Sequence, residues 1–293
     1  MAELRSIEEL TAALRTEAYL ADRGLATVMS LSLALEKPLL LEGEAGVGKT
    51  EAAKALAAIT GGRLIRLQCY EGIDVAHALY DWNHARQLLY IRTIEAGEAL
   101  DAGQTLHDVF GRDFLERRPL LDAIEHSDAV PPVLLIDEID RSDDEFEAFL
   151  LELLSDFQVT IPEIGTIRAE RRPRVILTSN RTRELHDALK RRCLYHWIEH
   201  PGLERELQIV RSRAPEVSEA LGRQVVGVVQ DLRTRDLTKP PGVAETLDWA
   251  RALHHLGTAD LDLESAATTL GALVKYREDS DRVKQALDQL LRT

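Results

Sequence analysis

The sequence predicts a parallel α/β domain followed by a smaller all-α domain. As far as residue 202, short apolar runs of buried-strand type alternate with helical patterns. Beyond it only helical periodicity recurs. The first apolar run also feeds directly into a glycine-rich loop and then a helix. We place an αβα core with inserted hairpins at residues 1–202 and a helical domain at 203–293.

Taken in order, Ser6-Ile7-Glu8-Glu9 is a capping box opening the first helix. A second helical stretch runs from Gly24 to Glu36. Leu39 to Glu42 is a buried strand, Thr50 to Thr60 an alanine-rich helix, and Gly61-Gly62 stops that helix before a strand at Leu64 to Leu67. Residues 70–92 are less regular and hold Tyr70, Tyr80, Trp82 and Tyr90, either a satellite core or a protruding insertion that moves with the nucleotide state or contacts a client. Pro119 to Glu125 predicts a short helix and Val133 to Ile136 a continuous buried strand. Asp143 to Asp156 is an acidic amphipathic helix with Phe149, Leu150, Leu153 and Leu154 toward the core. Residues 157–170 alternate about Pro162 and Gly165 as a β-hairpin, Val175 to Thr178 is a strand, and a further helix starts near Arg183. Helices follow at 203–213, 216–232, 243–256, 263–274 and 281–291.

The composition, 45% hydrophobic and 29% charged over 293 residues, is that of a soluble globular protein. No apolar run reaches the roughly 20 residues that span a bilayer, and the N-terminus lacks the basic-then-apolar pattern of a secretory signal. Cys69 and Cys193 form no motif and are expected as reduced thiols in a cytoplasmic protein. The net charge of −14 is uneven: residues 203–293 contribute −2, leaving −12 on the first part. That balance disfavours non-specific nucleic-acid binding, which needs phosphate neutralisation.

Four elements carry chemistry. Gly43-Glu44-Ala45-Gly46-Val47-Gly48-Lys49-Thr50 fits G-x-x-x-x-G-K-[ST]. Closely spaced backbone N–H groups cradle a polyphosphate, Lys49 reaches the terminal phosphates and Thr50 offers a hydroxyl to Mg²⁺, so the ligand class is a nucleoside triphosphate such as ATP. Asp137-Glu138 follows the second apolar run. Asp137 would hold the metal and Glu138 would orient and partly deprotonate the attacking water, the two tasks hydrolysis requires. Asn180, ending Thr178-Ser179-Asn180, could hold that water and sense the γ-phosphate, although Asn is also a common turn former. Lys190-Arg191-Arg192 could present an arginine to a neighbouring subunit's nucleotide, or could simply close a helix.

These elements in this order resemble the AAA+ ATPases, and more narrowly the MoxR family. The resemblance spans roughly residues 20–260 and rests on GEAGVGKT at 43–50, LLIDEIDR at 134–141, TSN at 178–180 and ALKRRCLYHW at 188–197, with the hairpin at 157–170. RQLLYIR at 86–92 and DALKRRCLYHWIEHP at 187–201 are similar to the branch that accompanies maturation of carbon monoxide dehydrogenase. The resemblance implies a ring, a hexamer by family habit, with ATP between subunits and Arg192, or failing it Arg191, as arginine finger. It also implies a partner bearing a von Willebrand factor A domain and a client metalloenzyme. Similar proteins carry a lid-domain arginine that contacts the γ-phosphate; here the matching stretch is Thr238-Lys239-Pro240-Pro241-Gly242-Val243, in which Lys239 is the available cation.

Two alternatives stand beside this reading: an AAA+ nucleic-acid motor, against which the charge argues, and a nucleotide-gated scaffold with little hydrolysis. His196 and His200 sit in a strand-and-turn segment, so no structural zinc is expected. Arg168, Arg171, Arg172 and Arg174 are expected to pair with the acidic helix that holds Asp143, Asp144, Glu145 and Glu147.

Overall fold

The computed structural model describes residues 6–95 and 108–290. Two compact units result. The first comprises residues 27–42, 53–95 and 108–196; the second comprises residues 6–26, 43–52 and 197–290.

The strands in chain order are β1 (Leu39–Gly43), β2 (Leu64–Gln68), β3 (Tyr80–Trp82), β4 (Leu115–Arg117), β5 (Val133–Asp137), β6 (Gln158–Ile161), β7 (Gly165–Arg168), β8 (Arg174–Ser179) and β9 (Leu194–Ile198). Five of them form the main sheet in the order β2-β5-β8-β1-β9, and the β2–β5, β5–β8 and β1–β8 ladders are parallel. β1 and β5 are buried along their whole lengths, which is why they read as unbroken apolar runs. The register sets Gln68 opposite Asp137 and Glu42 opposite Ser179. The C-terminal tips of β2, β5, β8 and β1 therefore share one edge of the sheet. Leu150, Leu153 and Leu154 of the helix Asp144–Asp156 and Leu120, Leu121 and Ile124 of Pro119–Ile124 join Ile65, Leu134, Ile136 and Leu177 in the core. The expected hairpin forms as β6 and β7.

The irregular reading of 70–92 needs correction. His84–Glu95 is a 12-residue helix. Asn83 starts it by accepting from the Arg86 N–H (2.9 Å), and the buried Gln87 donates to the Val109 carbonyl (2.9 Å). Tyr80 and Trp82 pack against the core, and Trp82 meets Phe110 edge-on at 5.3 Å, so the base of the segment is a satellite core. Leu88 and Leu89 are exposed.

The helix expected near Arg183 begins only at Asp187. Side chains from elsewhere claim the preceding backbone. Asp140 accepts from the N–H groups of Asn180 (3.2 Å) and Thr182 (2.9 Å), and Glu147 accepts from that of His186 (2.8 Å). Arg183 donates to the Ser142 carbonyl and pairs with Glu147 and Asp144. Arg183 thus takes the partners expected for the arginine cluster. Arg171 instead donates to the carbonyls of Ala129 and Asp128 (2.6 Å each), Arg174 donates to that of Pro131 (3.1 Å), and Arg172 lies 5.2 Å over the Phe157 ring. Backbone acceptors and an aromatic face engage these cations.

In the second unit the capping box forms as expected, with Ser6 and Glu9 each bonding the other's N–H. The C-terminal helices are Leu203–Arg213, Glu219–Arg233, Val243–His255, Leu263–Leu273 and Arg277–Leu290, and no strand follows β9 among the described residues. The second starts three residues later than expected and the fifth four residues earlier, and the expected last position, 291, lies outside the described residues. Trp249, with no exposure, centres the helical core among Val225, Val229, Leu253 and Leu270, its indole N–H donating to Thr269 (2.7 Å). One buried ionic cluster crosses this core. Glu206 accepts from both Nη atoms of Arg233 (2.6 and 2.8 Å), from Thr246 (2.7 Å) and from Gln230 (2.6 Å).

Candidate active site

The carboxylates lie in the first unit. Asp137 ends β5 with its side chain 3% exposed, and Glu138 turns the chain with φ 55° and ψ 51°. That left-handed geometry lets the Glu138 N–H reach the Thr178 hydroxyl (2.9 Å), which itself donates to Asp137 Oδ1 (2.5 Å). Asn180, just past β8, directs its amide nitrogen at Glu138 Oε1 (3.4 Å). The structure thus brings Asp137, Glu138 and Asn180 together.

Two further residues join them that sequence reasoning missed. Gln68 donates to Glu138 Oε2 (3.1 Å), and Arg66 donates twice to Asp137 Oδ2, from Nε (3.0 Å) and Nη2 (2.6 Å). A signal was present: in Leu64-Ile65-Arg66-Leu67-Gln68 the two polar residues are two apart and so share one face of the strand. Arg141 adds a contact to Glu138 Oε2 at 3.2 Å.

The glycine loop continues β1 and lies in the second unit. A Cβ on Gly43 would stand 2.5 Å from the Ile198 carbonyl oxygen, and Gly46 holds φ +79°. Lys49, 6% exposed, folds back so that Nζ donates to the carbonyls of Gly43 and Glu44 (2.7 Å each). Glu44 faces His200 at 3.1 Å, and Val47 is buried. Lys49 and Thr50 open the helix Lys49–Thr60.

The helix Val243–His255 meets this loop backbone to backbone. The N–H of Val243 donates to the Gly46 carbonyl (3.0 Å). A Cβ on Gly242 would lie 2.7 Å from the Ala45 carbonyl oxygen and 2.9 Å from the Gly46 Cα. A side chain at Gly242 would therefore push the helix off the loop. Lys239 is exposed, its backbone N–H held by Asp279 (3.1 Å).

Arg191 and Arg192 occupy the last turn of Asp187–Arg192 and are both exposed. Arg192 donates to Ser155 Oγ (2.7 Å) and to the Ala188 carbonyl (3.3 Å).

Burial pushes the Cys69 thiol up to about 12, assisted by the nearby charges of Asp137, Asp140 and Glu138. Burial alone brings the Cys193 thiol to about 12. Neither is a thiolate near neutrality.

Residues 38–193, more than half of the chain, match the family model of the AAA domain, dynein-related subfamily. The chain belongs to the AAA family. The AAA fold recurs in solved structures from Thermotoga maritima. The RuvB Holliday junction branch migration motor shares 14% identity, with 91% of this chain and 71% of that chain covered and a TM-score of 0.45. A point mutant of RuvB shares 14% identity, with 98% and 80% covered and a TM-score of 0.50. At this identity the likeness concerns fold alone. No curated protein matches the chain.

AAA domains in general hydrolyse nucleotide, bind ATP with Mg²⁺ and commonly assemble into rings. The residues here fit those ligands. The loop has glycine where a Cβ would collide, and its lysine ammonium faces acceptors that phosphate oxygens can replace; Thr50 in the second unit and Asp137 in the first are each oxygen donors of the kind a hard divalent cation prefers. No helix among the described residues is long and apolar enough to cross a membrane.

Proposed function

We propose that this chain is a MoxR-type ATPase, with a nucleotide-binding core at 1–202 and a helical lid at 203–293, that uses ATP hydrolysis to remodel or mature a client metalloenzyme. The observation that carries the hydrolytic part is the pair of amide donors, Asn180 and Gln68, that fixes both oxygens of Glu138. A carboxylate aimed in this way suits a general base that aligns water. Lys49 and the N–H groups of Gly43 to Thr50 would hold the phosphates, with Thr50 and Asp137 holding Mg²⁺. Bound magnesium neutralises charge on the phosphate oxygens.

Arg192, with Arg191 as the alternative, would reach a neighbouring subunit's γ-phosphate in a hexameric ring. Lys239 is the only cation in the stretch that matches the lid sensor and would act there if the lid moves. A von Willebrand factor A partner, a metalloenzyme client such as a molybdenum-containing carbon monoxide dehydrogenase, and a cytoplasmic site of action complete the proposal. They rest on the quoted sequence likeness.

Glu138→Gln tests the reaction. It is expected to retain ATP binding while turnover falls by about 10²–10⁴-fold. Unchanged turnover would remove Glu138 from the mechanism. DNA-stimulated hydrolysis with steep salt dependence would instead favour the motor reading, which the −12 charge of residues 1–202 opposes.

A further inference from the structure

The carboxylate network contains a cation that the roles assigned above leave unused. Arg66, half-exposed on β2, turns both Nε and Nη2 to Asp137 Oδ2 and gives a second Nη2 bond to Gln68 Oε1 (2.5 Å). A guanidinium only donates, so the Gln68 oxygen must face it. The Gln68 nitrogen is then left to face Glu138 Oε2 at 3.1 Å, and an ionised carboxylate only accepts. Arg66 thereby decides which way the Gln68 amide points. Its two bonds to one oxygen also take up acceptor capacity of Asp137 Oδ2 that a divalent cation would draw on.

We propose that Arg66 is a positioning residue that competes with magnesium for Asp137 Oδ2 and, through the Gln68 amide, sets a donor on Glu138. One guanidinium then links the state of the metal ligand to the orientation of the base. Withdrawal of Arg66 from Oδ2 frees the carboxylate for the metal and moves the anchor of Gln68 at the same time. The inference rests on the ATPase reading and concerns residues of the first unit alone.

The test titrates Mg²⁺ against binding of a fluorescent ATP analogue and measures turnover in parallel. Arg66→Ala is expected to lower the magnesium midpoint by about fivefold, the scale of a half-exposed ion pair. It should also lower turnover by about tenfold through loss of an outer partner. Gln68→Ala should reproduce the turnover loss with the wild-type midpoint, and Arg66→Lys should restore the midpoint by restoring the charge. If Arg66→Ala does not fold, Arg66→Gln carries the same expectations.

A midpoint and turnover within about twofold of wild type in a folded Arg66 variant overturn the inference alone. A midpoint shift in Gln68→Ala equal to that in Arg66→Ala overturns the ordering of the two residues. A wild-type protein that neither binds nor hydrolyses ATP removes the ATPase reading, and the inference with it.

Discussion

At the tips of β5 and β8 the candidate catalytic groups are fixed by side chains, whereas the loop after β1 meets the helix Val243–His255 through backbone. Asp137, Glu138 and Asn180 are cross-linked by Arg66, Gln68 and Thr178. Gly46 and Gly242 approach so closely that neither has room for a Cβ. The two designs tolerate change differently. A side-chain network can be rewired one partner at a time and can respond to charge. A glycine contact reads only distance, and any added atom opens it.

The largest effect is expected where the helical unit departs from its own backbone style, at the buried Glu206 cluster. Glu206→Ala leaves Arg233, 8% exposed in its side chain, without its counter-charge. Loss of one buried partner typically costs about 3–5 kcal/mol. Denaturant unfolding should show that loss, and a change below about 1 kcal/mol would mean water replaces the carboxylate.

The next effect sharpens the contrast directly. Gly242→Ala places a Cβ against the Ala45 carbonyl and the Gly46 Cα, and overpacking of this kind costs about 1–3 kcal/mol. ATP affinity should fall together with stability, because the same contact holds the loop. Full affinity in a destabilised variant would uncouple the lid helix from the loop.

The smallest effect concerns Asp279. Burial pushes its carboxyl up, but the N–H groups of Thr238 and Lys239 outweigh that and hold it below the ordinary carboxylate value. The sign follows: its contribution is complete above the unfolded value of about 3.9 and disappears as pH falls through the lower folded value. Asp279→Ala should lose about 1 kcal/mol near neutrality and flatten the acid side of the stability profile. An unaltered acid limb would show that the two N–H groups find water instead.

What the sequence disclosed depended on how local each cause is. The loop at 43–50, the capping box at Ser6 and the buried strands announce themselves within a few residues, because backbone geometry and burial on both faces dictate residue type directly. The helix His84–Glu95 was hidden because Leu88, Leu89, Tyr90 and Ile91 are consecutive and form no stripe at helical spacing. Its start is set by Asn83 and its anchor, Gln87, bonds 22 residues away. Arg66 and Gln68 reach across about 70 residues to carboxylates that only strand register brings opposite. The turn before Asp187 is extended because Asp140 and Glu147, some 40 residues upstream, hold its N–H groups. Local propensity is silent on all such contacts.

The placement of the tryptophans gives the molecule built-in optical reporters. Trp249 is sealed in the helical core with its N–H engaged, Trp82 stacks edge-on in the satellite core, and Trp197 sits half-buried on β9. Replacing any two with phenylalanine leaves one fluorophore, whose emission follows the unfolding of its own neighbourhood.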